Sequence, residues 1–143
     1  MTNDVAHTVN NALAAVSARL EERPGWARQV LSDVGEFVDR AARTSRRPVV
    51  SLGEELEHVA CFLRLEEARY EHAIALHVDL GASAPSASVR LDELRAAVAS
   101  CLRRARVAGQ PVGEVRIGIE GPTVSVAVEG ARATVRLAPE EGE

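Results

Sequence analysis

The chain has 143 residues, 17 basic and 21 acidic side chains, a formal net charge of −4 and only 3% aromatic residues. Its Arg and Glu residues are interspersed and form no sustained basic stripe, which weighs against nucleic acid as the partner. There is no signal-peptide pattern and no long apolar run, so the sequence reads as cytoplasmic and without membrane contact. The length fits one domain, or a small helical piece joined to a compact α+β piece. With so few aromatics, the core must come from small aliphatic contacts, with Trp26, Phe37, Phe62 and Tyr70 as its large pieces.

The first periodic segment is predicted as a helix from Asn3 or Asp4, either of which suits an N-cap, to Glu21. Val5, Val9, Leu13, Val16 and Leu20 recur at the three-to-four spacing of one buried face. His7 then projects roughly opposite the centre of that stripe, with Asn11 beside it one turn on. An exposed imidazole offers a ring nitrogen that is nucleophilic near neutral pH. The alternative is an ordinary surface histidine.

Arg23-Pro24-Gly25 breaks this helix, and Pro24 suits the first position of a second. Trp26, Val30, Val34, Phe37 and Ala41 share one face of the second helix, with Leu31 and Val38 alongside. So short a connection implies an antiparallel hairpin. A lone hairpin leaves an apolar edge wet, and two of them form a four-helix bundle, so a homodimer is expected. Packing of the hairpin on its own chain is the other solution.

A basic connector, Arg43-Thr44-Ser45-Arg46-Arg47-Pro48, leads to Ser51-Leu52-Gly53-Glu54, a capping box in which Glu54 reaches back. The helix behind it aligns Leu52, Leu56, Val59, Leu63 and Tyr70 and runs to about Glu71. Ile74 to Leu80 alternates as a half-buried strand, with Ile74, Leu76, Val78 and Leu80 inward and His77 and Asp79 outward. Gly81 to Ser88 reads as a loop. Leu91 to Arg106 is predicted helical, with Leu91, Leu94, Val98, Cys101 and Leu102 inward and Arg95, Arg103, Arg104 and Arg106 outward. Val107 to Gly113 is a loop. The tail is a three-stranded meander, 115–119, 124–128 and 133–137, with turns at Gly121-Pro122 and Gly130. Residues 139–143 read as a disordered tail. Cys61 and Cys101 have no CxxC spacing or His cluster, so they are expected as buried free thiols, with no metal site.

These segments resemble the LytS-like sensor histidine kinases. His7-Thr8-Val9-Asn10-Asn11-Ala12-Leu13 is similar to that family's phosphoacceptor motif, His-Phe-Leu-Phe-Asn-Ala-Leu. His7 falls on the phosphorylated His and Asn11 on the later Asn. The stretch from Val50 to Val59 resembles the family's Leu-X-Glu-Glu-Leu segment. Phe62-Leu63-Arg64-Leu65-Glu66-Glu67-Ala68-Arg69-Tyr70 resembles its Tyr-Leu-X-Ile-Gln-X-X-Arg-Phe. The strand, helix and meander then follow the order of the family's ATP-binding domain.

The resemblance implies an α+β chain. Residues 1–46 form the phosphoacceptor and dimerisation hairpin, and 47–138 a reduced, Bergerat-like helix and antiparallel-sheet domain. Family kinases carry a Glu-Asn pair, whose Asn holds magnesium, where this chain has Ala99 and Ser100. Their Asp-X-Gly-X-Gly segment is met here by Glu129-Gly130-Ala131, and the ATP lid is missing. Without such a lid the phosphates lack a cradle of backbone amides, so neither ATP binding nor autophosphorylation is expected, and no cofactor. What the resemblance leaves is a histidine phosphotransferase acting through His7, with Asn11 orienting, on response-regulator receiver domains. The alternative is an inactive pseudokinase scaffold that binds a sensor kinase or regulator. For a small-ligand sensor, the vacated nucleotide position shows no convergent polar set.

Overall fold

A computed structural model describes residues 3–81 and 87–138; the side chains of Asn3 and Asp4 and the segment 139–143 lie outside the described residues, and so do the expectations placed on them. Ten elements follow in order: α1 (Asn3–Arg19), α2 (Pro24–Thr44), β1 (Val49–Ser51), α3 (Leu52–Tyr70), β2 (Ala75–Asp79), β3 (Ser88–Arg90), α4 (Glu93–Val107), β4 (Glu114–Glu120), β5 (Thr123–Val128) and β6 (Ala131–Arg136). The α+β class and the N-terminal hairpin are as the sequence implied.

α3 is the hub of the packing. Ser51 caps it, its Oγ accepting the Glu54 amide at 3.1 Å. Glu54 does not reach back as a capping box would; its carboxylate takes Arg47 at 2.9 and 3.1 Å. The basic connector is therefore partly neutralised by its own chain. α1 and α2 both pack on α3, and α4 packs on its other side. The inner face of the hairpin is thus filled within one chain. α3 is buried on nearly every side, including at Glu55, His58 and Glu66.

α1 buries Val5, Thr8, Ala12, Ala15 and Val16, while Leu13 and, just past its end, Leu20 stay 39% and 48% exposed. The expected stripe was wide enough to include Leu13 and Leu20, but α2 and α3 together select the smaller residues, which let the helices approach. Leu31 of α2 is likewise exposed. Along the α2–α3 seam, Arg64 reaches Asp33 at 3.4 Å and Glu36 at 3.0 Å, and Arg40 reaches Glu57 at 2.8 Å.

The sheet of four strands runs β2-β4-β5-β6. β4, β5 and β6 form the expected antiparallel meander, and β2 adds to β4 in parallel. A parallel neighbour requires a crossover, and the crossover contains α4. Val115, Ile117, Val124, Val126, Val128 and Val135 are buried on the helix side, while the alternate residues face outward, the period of a one-sided sheet. β2 is an edge strand, and Val78 is 41% exposed rather than inward. Among the described residues no helix packs closely on β2. A second ribbon pairs β1 with β3, two strands that the sequence reading did not predict. At three residues each they are too short to show a period.

The β5–β6 turn is Glu129-Gly130, with φ of 35° and 90°, between paired Val128 and Ala131. Two left-handed residues make the tight hairpin geometry for which glycine is favoured. No residues remain between these strands for a lid.

Candidate functional site

His7 lies on the outer side of α1 and is exposed. It opens onto a cleft of about 410 Å³ bounded by three helices. α1 contributes His7, Thr8 and Asn11; the last turns of α3 contribute Phe62, Glu66, Arg69 and Tyr70. α4 forms the far wall with Arg95, Ala96, Ala99, Arg103, Arg106 and Val107. His7, Asn11 and Ala99 are therefore brought together, although they stand far apart in sequence. Ser100, the next residue on α4, does not line the cleft, and Glu129 and Gly130 sit away from it in the sheet turn.

The walls carry four arginines, a convergence of polar groups that the sequence did not reveal. Arg69 and Arg106 both lie over the Tyr70 ring, with guanidinium carbons 4.7 and 3.5 Å from its centroid. Arg106 also pairs with Glu66 at 3.3 Å. Arg95 was expected to point outward, and this is corrected: it is 2% exposed. Its spacing already held the answer. It stands four residues after Leu91 and three before Val98, inside the apolar stripe of α4. The charge suggested solvent; the helical period put it inside.

Behind Arg95 the α3–α4 junction brings the buried Glu55 and His58 together with a partly exposed Asp92. Asp92 precedes α4 with φ of 65° and makes no side-chain cap. Asp tolerates this left-handed backbone better than most residues. Arg95 Nε lies 3.6 Å from Asp92 Oδ1, and His58 Nε2 lies 3.8 Å from the same oxygen. Burial, reinforced by the charge of Asp92, pushes the Glu55 carboxyl up to about 7, against backbone hydrogen bonds from Asp92 and Arg95. Burial and the nearby Arg95 and Arg40 charges lower the His58 imidazole to about 4, with Asp92 opposing. The His58 ring lies nearly parallel to Phe37, with centroids 4.9 Å apart, and neither ring nitrogen has a hydrogen-bond partner. His58 is thus held neutral and internal, and His7 is the histidine open to a reaction partner at this cleft.

Cys61 and Cys101 are buried free thiols, as expected, and burial raises Cys61 to about 11, far from a reactive thiolate. Among the described residues no group of three or more His, Cys, Asp or Glu is placed to hold a metal ion. Nor is any described helix long and apolar enough to cross a membrane. A search of curated proteins finds no match. The family model described as "Histidine kinase" matches residues 6–74, from the turn that carries His7 past the end of α3 to the residue before β2, and this supports a histidine-kinase-like family and two-component signalling.

Proposed function

We propose that this chain is a histidine-containing phosphotransfer protein of a two-component relay, which accepts and passes a phosphoryl group through His7 without binding ATP. What carries the reading is an exposed His7 on a helix whose chain replaces the nucleotide lid by a two-residue turn. A neutral imidazole nitrogen attacks the phosphorus of an aspartyl phosphate on a receiver domain. The N–P bond forms, the P–O bond to the aspartate breaks, and the carboxylate leaves. The reverse step passes the group on.

The phosphotransfer itself asks little of this protein beyond a positioned imidazole and a docking surface, because the receiver supplies the acidic pocket and metal ion. Asn11, one turn from His7 and on the same cleft, orients the ring or the phosphoryl oxygens. The hairpin, residues 1–46, acts as phosphoacceptor and dimerisation unit. Exposed Leu13, Leu20 and Leu31 on its surface favour a homodimer with a four-helix bundle. Residues 47–138 act as a degenerate ATPase-like brace. The setting is cytoplasmic.

The test uses radiolabelled, phosphorylated receiver domains from the same cell. Wild-type protein is expected to gain label from at least one receiver, and His7→Gln to gain none. A receiver that binds both proteins but labels neither would replace this reading with the pseudokinase scaffold.

A further inference from the structure

We propose that the cleft beside His7 is a phosphoryl-binding site in which Arg95 and Arg103 hold a tetrahedral oxyanion against α4. The oxyanion is either the group carried by His7, which rests on the phosphotransfer reading, or a free phosphate-class anion. Three observations carry the site.

The first is local charge. The whole chain has a net charge of −4, yet the cleft has four arginines against one carboxylate, Glu66. Arg106 is already paired with that carboxylate.

The second is the state of the remaining cations. Arg103 has no hydrogen-bond or ion-pair partner among the described residues. Arg95 is 98% buried, since only 2% is exposed, and its Nε faces Asp92 at 3.6 Å, an ion pair too long for a hydrogen bond. Burying a guanidinium on one loose ion pair is costly, and an anion in the cleft would give its terminal nitrogens further acceptors. A phosphoryl group suits the planar fork of arginine better than a chloride ion does.

The third is spacing. Arg95, Ala99 and Arg103 stand at four-residue intervals on α4 and therefore share one slowly turning face. Ala99 lies midway, about 6 Å of helix rise from each arginine. Its methyl group leaves a shallow floor over which two long side chains can converge. His7 borders the same space from α1.

Phosphoramidate tests this without any receiver. The His7 nitrogen attacks its phosphorus, the P–N bond to the amine breaks, and ammonia leaves with the displaced proton. The product is followed by ³¹P and arginine side-chain ¹⁵N spectra. His7→Gln identifies the signal of His7 against exposed His72 and His77. Wild-type phosphorylation is expected to move the Nε–H signals of Arg95 and Arg103, and Arg103→Ala to shift the ³¹P signal.

In a second arm, pyrophosphate is titrated into unmodified protein by calorimetry. Binding that Arg103→Ala weakens about tenfold, the loss expected for one charge-assisted contact, assigns the cleft to a free anion. Arg103 is exposed and unpaired, so its removal spares the fold. Unmoved arginine signals together with unaltered pyrophosphate binding in Arg103→Ala would overturn the site. Because neither arm involves a receiver, failure of receiver transfer bears on the relay reading alone.

Discussion

Phe37→Ala is expected to lower the unfolding free energy by about 3–5 kcal/mol, the cost of emptying a fully buried aromatic position. Phe37 is 0% exposed and is shared between two partners on α3. Its ring lies parallel to His58 within 5° and stands 6.4 Å from Phe62 in a tilted arrangement. The chain has few large side chains with which to refill such a cavity. Urea unfolding should show a lower midpoint with an unchanged slope. A loss under about 1 kcal/mol, the range of surface substitutions rather than core truncations, would mean that α2 does not seat on α3 through Phe37.

Stability against pH provides the second large effect, and its sign follows from two groups that oppose one another. His58 ionises near 6.5 in the unfolded chain and about 4 in the folded one. Between these values the unfolded state binds more protons, so its contribution to stability grows as pH rises. Glu55 moves from 4.5 to about 7 on folding. There the folded state binds more protons, and its contribution falls as pH rises. Over their shared window the wild type should therefore be nearly flat with respect to this pair.

Glu55→Gln removes the falling component and leaves the rising one. Its unfolding free energy should climb by about 2–3 kcal/mol from pH 4.5 to 6.5, at about 1.4 kcal/mol per unit of pKa difference. Asp92, Arg95 and Arg40 face the same junction and are unchanged in the variant. Parallel wild-type and variant profiles would show that Glu55 does not titrate across this range.

The sequence was informative where a period or a turn signal runs long enough to be read. The α2 face, the Ser51 cap, the meander and the Gly130 turn follow from local chemistry, and all four are present. The exposure of His7 followed from helical phase alone. What escaped the reading depends on neighbours. Leu13 and Leu20 are apolar but lie beyond the edge that α2 and α3 cover. Val78 alternates correctly, yet its strand is at an uncovered edge.

Arg95 was the consequential miss, because its charge was weighed above its position on the stripe. With Arg95 turned inward, the arginines of α3 and α4 form a wall facing His7. No local pattern contains that wall, since it exists only once α1, α3 and α4 are packed.

The central claim is that phosphate reaches His7 from another protein and not from nucleotide. It is tested most directly by giving the same preparation γ-labelled ATP with magnesium in one tube and a labelled, phosphorylated receiver in another. Label that arrives only from the receiver, and never on His7→Gln, is the predicted result. Label from ATP on the wild type, or equal label on wild type and His7→Gln, would contradict it.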